Sequence, residues 1–211
     1  MYAIPRFEVT NEQVQYAKNA LQRSLDSFDY SQYSHTRKLS QDDLYRFFCG
    51  FLGEVLFADV YRLPRPKECY GLNGQDNGLD FVLGGENCDV KTSFLRTFPT
   101  IATQLSFILS LYTIDKISSL TTRYFFIKIV ETTKNYFAYF VGSATKQQIK
   151  ERKIGNVYKK GEAMQTASKN GLSEIVVKND IMRIDATQLI PTKITSGLEK
   201  MLNFELVKFQ N

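Results

Sequence analysis

Two short runs of alternating polar and apolar residues constrain this chain more than any other stretch. They read Gly78-Leu79-Asp80-Phe81-Val82-Leu83 and Cys88-Asp89-Val90-Lys91-Thr92-Ser93, separated by Gly84-Gly85-Glu86-Asn87. Alternation on both sides of a glycine-rich break is the pattern of a β-hairpin. With the break as the loop, Leu83 faces Cys88, Phe81 pairs with Val90 and Asp80 with Lys91. Side chains alternate across a strand, so one face carries Asp80, Val82, Asp89 and Lys91, and the other carries Phe81, Leu83, Cys88 and Val90. The first face is charged and the second is core.

On a solvated surface such residues would make only a cross-strand ion pair between Asp80 and Lys91. Brought together in a cleft they can do chemistry. Phosphodiester hydrolysis needs a cation to hold the scissile phosphate and generate hydroxide near neutral pH, and hard Mg²⁺ prefers carboxylate oxygens and water. Asp80 and Asp89 supply that pair. A lysine two residues after a ligand stays on the same face, where it can orient water or stabilise the charge developing on phosphorus. Lys91 fits that role.

A third carboxylate comes from the segment Gln41 to Leu63, which is helical by period, with Phe47, Phe51, Glu54 and Ala58 on one stripe. Burying a lone carboxylate costs several kcal/mol unless it is paired or metal-bound. Glu54 therefore either forms an interior ion pair or faces the hairpin and joins the metal site.

In this order, Gly53-Glu54, Leu79-Asp80 and Asp89-Val90-Lys91, the chain resembles the PD-(D/E)XK nuclease superfamily, the restriction-endonuclease-like fold. The resemblance spans roughly residues 41–142. It implies metal ligation by Asp80 and Asp89, a catalytic Lys91, a supporting Glu54, Mg²⁺ as cofactor with Mn²⁺ as substitute, and DNA as substrate. Leu79 stands where the motif has its proline, and Asp89 where the middle acid is often Glu. The exonuclease branch carries Gln-x-x-x-Tyr on the following helix, whereas here Gln104 is followed at that spacing by Ile108.

Composition narrows the alternatives. At 211 residues and 43% hydrophobic, the chain is long enough for one well-buried domain. Three cysteines, Cys49, Cys69 and Cys88, without Cys-x-x-Cys spacing, favour reduced thiols, with Cys49 and Cys88 in the core. The single histidine, His35, excludes a His-rich metal site and leaves a Ser-His-Asp hydrolase resting on one residue. No Gly-x-x-x-x-Gly-Lys loop is present, so no nucleotide cofactor is implied. The start lacks an apolar leader, and no apolar run approaches the ~20 residues needed to cross a bilayer, which points to a cytoplasmic protein without membrane contact.

Along the chain, Asn11 can cap a helix running to about Ser27, and a polar linker, Phe28 to Ser40, leads to the Glu54 helix. Pro64 and Pro66 end that helix, and Gly71 to Gly78 delivers the chain to Asp80. Thr97 and Pro99 open a predicted helix through Ile101, Leu105, Ile108 and Tyr112. Arg123 to Val130 reads as a central strand and Tyr136 to Val141 as its neighbour. Thr145 and Gln148 form a capping box, Ile181 to Ile184 a late edge strand, and Thr195 to Leu202 a closing helix. These elements predict a single domain, 1–211, with a three-layer α/β fold and a central mixed sheet flanked by helices. Residues 41–142 would form the nuclease core, and 1–40 and 143–211 helical or basic additions.

The partner is suggested by charge. The chain carries a net charge of +5, and Lys146, Lys150, Arg152, Lys153, Lys159, Lys160 and Lys169, against Glu151 and Glu162, concentrate the same excess in one segment. Interleaved Gly155, Tyr158, Gly161 and Gly171 suggest a mobile loop able to follow a phosphate backbone, with Lys146, Lys150, Lys153, Lys159, Lys160 and Lys169 as the nucleic-acid contacts. A solvated lysine-rich surface would look the same. The reading is a Mg²⁺-dependent DNA endonuclease, of restriction type, with a homodimer as the simplest way to cut both strands. Its alternatives are a structure-specific nuclease, such as a junction resolvase or homing type, and a nucleic-acid-binding module without catalysis.

Overall fold

The computed structural model describes residues 2–27, 40–66, 79–111, 120–168 and 171–209. His35, Cys69, Lys169, Tyr112, most of the linker before Ser40 and the segment Gly71 to Gly78 lie outside the described residues.

A six-stranded mixed sheet organises the molecule, built from β1 (Tyr2–Val9), β2 (Phe81–Leu83), β3 (Glu86–Leu95), β5 (Arg123–Glu131), β6 (Tyr136–Thr145) and β11 (Glu205–Phe209). Their spatial order is β11-β1-β6-β5-β3-β2. Only β3 and β5 run parallel; the other neighbours are antiparallel. The fold is thus mixed α/β around a central mixed sheet, and the strands predicted at 123–130 and 136–141 form its middle. Both ends of the chain also join the sheet, where β1 and β11 supply two of the six strands. Pro5 of β1 sits opposite Leu206, a position where β1 contributes a carbonyl but no N–H to the ladder.

Helices cover one face. Helix α1 (Asn11–Ser27) is capped by Thr10 rather than Asn11: the Gln13 N–H donates to Thr10 Oγ1, and the Gln13 side chain accepts from the Thr10 N–H. Helix α2 (Gln41–Tyr61) starts on a capping box between Ser40 and Asp43 and ends at Arg62, whose left-handed backbone turns the chain out. Against these helices the sheet places Phe7, Val9, Cys88, Val90, Phe125, Ile127, Ile129, Ala138 and Phe140, all buried. Leu52, Leu56 and Phe57 of α2 fill the space between. Arg65 ties the helices together, bonding Asp59 and Glu12 at once.

The opposite face is covered by strands, not by the predicted helix. Ala102–Leu105 makes one 3-10 turn, and the chain then enters β4 (Phe107–Ser110). Phe107 is buried against Phe126, at 5.0 Å between ring centroids, while Ile108 is 48% exposed. The spacing Ile101, Leu105, Ile108 fits a helix, but it overlaps an equally good alternation at 107, 109 and 111, and pairing with β10 (Ile181–Ile184) decides between them. With β7 (Asn156–Tyr158) these strands form a small three-stranded sheet over the second core, around Tyr124, Phe126, Tyr139, Met182 and Ile184. The short α3 (Lys146–Lys150) follows the predicted Thr145–Gln148 capping box and docks Ile149 in the same core.

Two further expectations change. Part of the basic segment is strand: after β7 it enters β8 (Ala163–Ser168), which pairs with β9 (Gly171–Val176) as a separate two-stranded sheet. The closing helix is only a 3-10 turn at Leu198–Lys200, next to Gly197, where any Cβ would lie 1.9 Å from the Val60 carbonyl oxygen.

Candidate active site

The hairpin forms where expected but with a tighter turn. Gly84 and Gly85 both have positive φ, 59° and 83°, as a two-residue primed turn requires. Glu86 and Asn87 therefore belong to the strand, and the register is Leu83 to Glu86, Val82 to Asn87 and Phe81 to Cys88. This is two residues away from the expected register. An even shift keeps every side chain on its own face. Asp89 and Lys91 indeed project opposite to the buried Cys88 and Val90.

At Asp80 the ladder becomes irregular in a way that aims the carboxylate. The Asp80 N–H donates to the Cys88 carbonyl at 3.0 Å, and Asp80 Oδ2 accepts from the Val90 N–H at 2.6 Å. The side chain thus occupies a ladder position and is held at the sheet edge by the two residues that flank Asp89. Asp89 itself is only 6% exposed, and Lys91 Nζ lies 2.7 Å from Asp89 Oδ2. Lys91 is paired along its own strand rather than across the hairpin to Asp80. Its ammonium stands 5.9 Å from the centre of the Tyr124 ring, on the strand position in register with Asp89. Burial, and then the charge of Asp89, hold the Tyr124 phenol above its ordinary pKa. Asp80, Asp89 and Lys91 are brought together, two negative charges and one positive at one end of the sheet.

Glu54 approaches from elsewhere. Helix α2 packs on the face of Cys88 and Val90, and Gly53 meets Thr92 of β3. Glu54 is half-buried. Of the stripe read as apolar, Phe51 and Ala58 are in the core, while Phe47 is 41% exposed. Among the described residues, no group of three His, Cys, Asp or Glu side chains is placed to hold a metal ion. The hairpin itself offers two carboxylates at one sheet edge, Asp80 and Asp89. That suits Mg²⁺, which keeps several waters and commonly uses one or two carboxylates together with substrate phosphates.

The basic segment divides into two parts. Lys153 is bonded to Glu151 and Lys159 to Asp180, whose second oxygen accepts from the Lys160 N–H. Lys146 and Lys150 lie on α3, one turn apart, and burial, and then the charge of Lys150, lower the Lys146 pKa.

One charged residue escaped the sequence reading. Lys128, in the middle of β5, is 5% exposed and lies on the same face as Asp89 and Lys91. Its Nζ donates to Ser93 Oγ and to the Ser106 carbonyl, both at 2.6 Å, and stands 4.4 Å from the centre of the Phe107 ring. Burial, and then the charge of Arg183, push its pKa down to about 7. A lysine inside an otherwise apolar run was the available signal, because a buried cation demands polar partners.

Compared with known proteins, the chain matches no family model, no curated protein and no solved structure. Among the described residues no helix is long and apolar enough to cross a membrane.

Proposed function

We propose that this protein is a Mg²⁺-dependent nuclease of restriction-endonuclease-like fold that hydrolyses DNA phosphodiester bonds. The observation that carries this reading is the convergence of Asp80, Asp89 and Lys91 at one sheet edge, with the Asp80 carboxylate fixed by the Val90 N–H and Lys91 fixed by Asp89. Asp80 and Asp89 would hold the ion, which when bound supplies Lewis-acid polarisation of the phosphate and a hydroxide near neutral pH. Lys91 donates to a phosphate oxygen, where negative charge grows during attack. Its preset position means little reorganisation accompanies reaction, which is what makes such a group effective. Asp89 orients that lysine as well as serving as ligand, and the Tyr124 ring beneath limits where the ammonium can move.

The test is cleavage of supercoiled, linear, branched and single-stranded DNA with Mg²⁺ or Mn²⁺ and with chelator. The proposal expects metal-dependent cleavage that Asp89→Asn abolishes. Retained DNA binding without cleavage on any substrate would leave a binding module instead. Cleavage confined to branched DNA would move the reading to a structure-specific nuclease.

A further inference from the structure

Ser93 and Lys128 stand in register on the parallel pair of β3 and β5, on the face that carries Asp89 and Lys91. The amine is fixed twice: Nζ lies 2.6 Å from Ser93 Oγ and 2.6 Å from the Ser106 carbonyl oxygen. Lys128 is 5% exposed, whereas Ser93 is only half-buried, so the serine is the member of the pair nearer to solvent. Around the amine stand the Phe107 ring of β4, Arg183 of β10, itself bonded to Asp185, and Tyr139, in register on β6 and bonded by Arg6.

This arrangement can activate a serine. A hydroxyl is a weak nucleophile until an adjacent base takes its proton, and such pairs are recognised by a nucleophile and a base within ~2.6–3.2 Å, with the base oriented by a third group. Here the third group is the Ser106 carbonyl. An ammonium offers three donors, and the neutral amine left by losing one proton keeps two donors and gains a lone pair. Once neutral, Lys128 can go on donating to Ser106 while its lone pair accepts from the Ser93 hydroxyl. Burial, and then the charge of Arg183, bring its pKa to about 7, so both forms are populated near neutral pH. The neighbours define what could approach. The Phe107 ring, 4.4 Å from the amine, and Leu95, two residues beyond Ser93 on the same face, are apolar, and a half-buried serine admits a small group.

We propose that Ser93 and Lys128 form a serine–lysine acyl-transfer site, a second activity that hydrolyses small apolar carboxylic esters with no metal. Lys128 takes the hydroxyl proton as Ser93 Oγ bonds to the ester carbonyl carbon. The bond from that carbon to the leaving oxygen breaks, and Lys128 passes the proton to the departing alkoxide. Water then attacks the acyl-serine and gives a proton to Lys128. The Ser93 oxygen leaves and takes that proton back, and a carboxylic acid is released. The site does not depend on the reading of Asp80, Asp89 and Lys91 as a nuclease.

The experiment treats the full chain, kept in chelator, with an alkyl fluorophosphonate and, separately, with 4-nitrophenyl butyrate. The expected results are a phosphonate adduct that peptide mass spectrometry places on Ser93, and release of nitrophenolate at a rate that rises with pH and levels off, with its midpoint near the Lys128 value of about 7. Ser93→Ala should remove both. Lys128→Met should slow both by on the order of 10² or more, the usual contribution of a general base. Lys128→Arg, which keeps a cation but supplies no base, should be as slow. Should either Lys128 variant fail to fold, Ser93→Ala and the pH profile of the wild type still decide. No adduct on Ser93, ester cleavage that survives Ser93→Ala, an undiminished rate in a folded Lys128→Met, or a rate flat from pH 6 to 8 would each overturn the site. Because chelator is present throughout, none of these outcomes turns on whether the carboxylates of the hairpin cleave DNA.

Discussion

Gly53 and Thr92 meet so closely that a Cβ on Gly53 would lie 1.9 Å from Thr92 Oγ1 and 3.0 Å from Thr92 Cβ. Helix α2 therefore rests directly on β3 between Lys91 and Ser93. The bare helix surface is a condition for the strand that carries Asp89 and Lys91 to be clamped from behind. Thr92 is half-buried and its hydroxyl oxygen is buried without a hydrogen-bond partner, so a Cβ on Gly53 would force that side chain to turn or the helix to lift. Gly53→Ala should destabilise the protein by roughly 1–3 kcal/mol, the usual cost of overpacking, despite the better helix propensity of alanine. Urea denaturation checks it, and Thr92→Ala in the Gly53→Ala background should recover part of the loss. Unchanged stability in Gly53→Ala would mean that helix and strand separate easily.

Replacing the site residues separates chemistry from architecture. Asp80→Asn and Asp89→Asn keep shape and hydrogen bonding while removing charge, and each should lower cleavage by on the order of 10² or more with melting temperature shifted by only a few degrees. Lys91→Met should be as inactive but less stable, because it leaves the Asp89 carboxylate, 6% exposed, without its cation. Wild-type cleavage by Asp89→Asn would refute the assignment.

Helices α1, α2 and α3 were legible because their signals are local: regular apolar stripes in the first two and the box at Thr145 and Gln148 in the third. Both central strands and the faces of the hairpin were legible for the same reason, since alternation survives an even register shift. Missed elements depend on pairings far apart in sequence. β1 acquires meaning only between β11 and β6, and its proline argues against a strand when read alone. β4 is a strand because Ile184 lies opposite Phe107, although its apolar spacing suits a helix as well. The site carboxylates were readable one residue at a time. What the sequence does not carry is their angle: whether Asp80 turns into the ladder, and on which side of the sheet Glu54 arrives.

Assembly can be read from how a duplex is cut. One chain holds one Asp80–Asp89–Lys91 group, which under the proposed function would break one strand at a time, so concerted double-strand cleavage would need a second copy. The β8–β9 hairpin is a sheet of its own, with Ile175 and Val176 exposed at 41% and 66%, and it offers apolar surface for that contact. We expect supercoiled plasmid to be linearised without a long-lived open-circle intermediate, and Val176→Asp to convert the enzyme to a nicking activity. Light scattering of a persistent monomer on DNA, with open circles forming first in the wild type, would overturn the dimer.

The buried Lys128 sets a pH dependence whose sign is fixed by its shift. In the unfolded chain a lysine keeps its proton to about pH 10.4. In the folded protein burial lowers the pKa to about 7. Between those limits the unfolded state binds more protons, so this residue makes stability rise with pH; below about pH 7 both states are protonated and its full cost remains. Over the whole window the change is on the order of 4 kcal/mol, and most of it is reached by about pH 10. Lys128→Met lacks this term. Urea denaturation of both proteins at intervals from pH 6 to 9.5 should therefore show the wild type gaining on the variant as pH rises. Cys49, pushed up to about 12 by burial, and the buried tyrosines titrate in both proteins and cancel in the difference. Parallel stability curves would mean that Ser93 Oγ and the Ser106 carbonyl, both at 2.6 Å, hold the ammonium charged despite its burial.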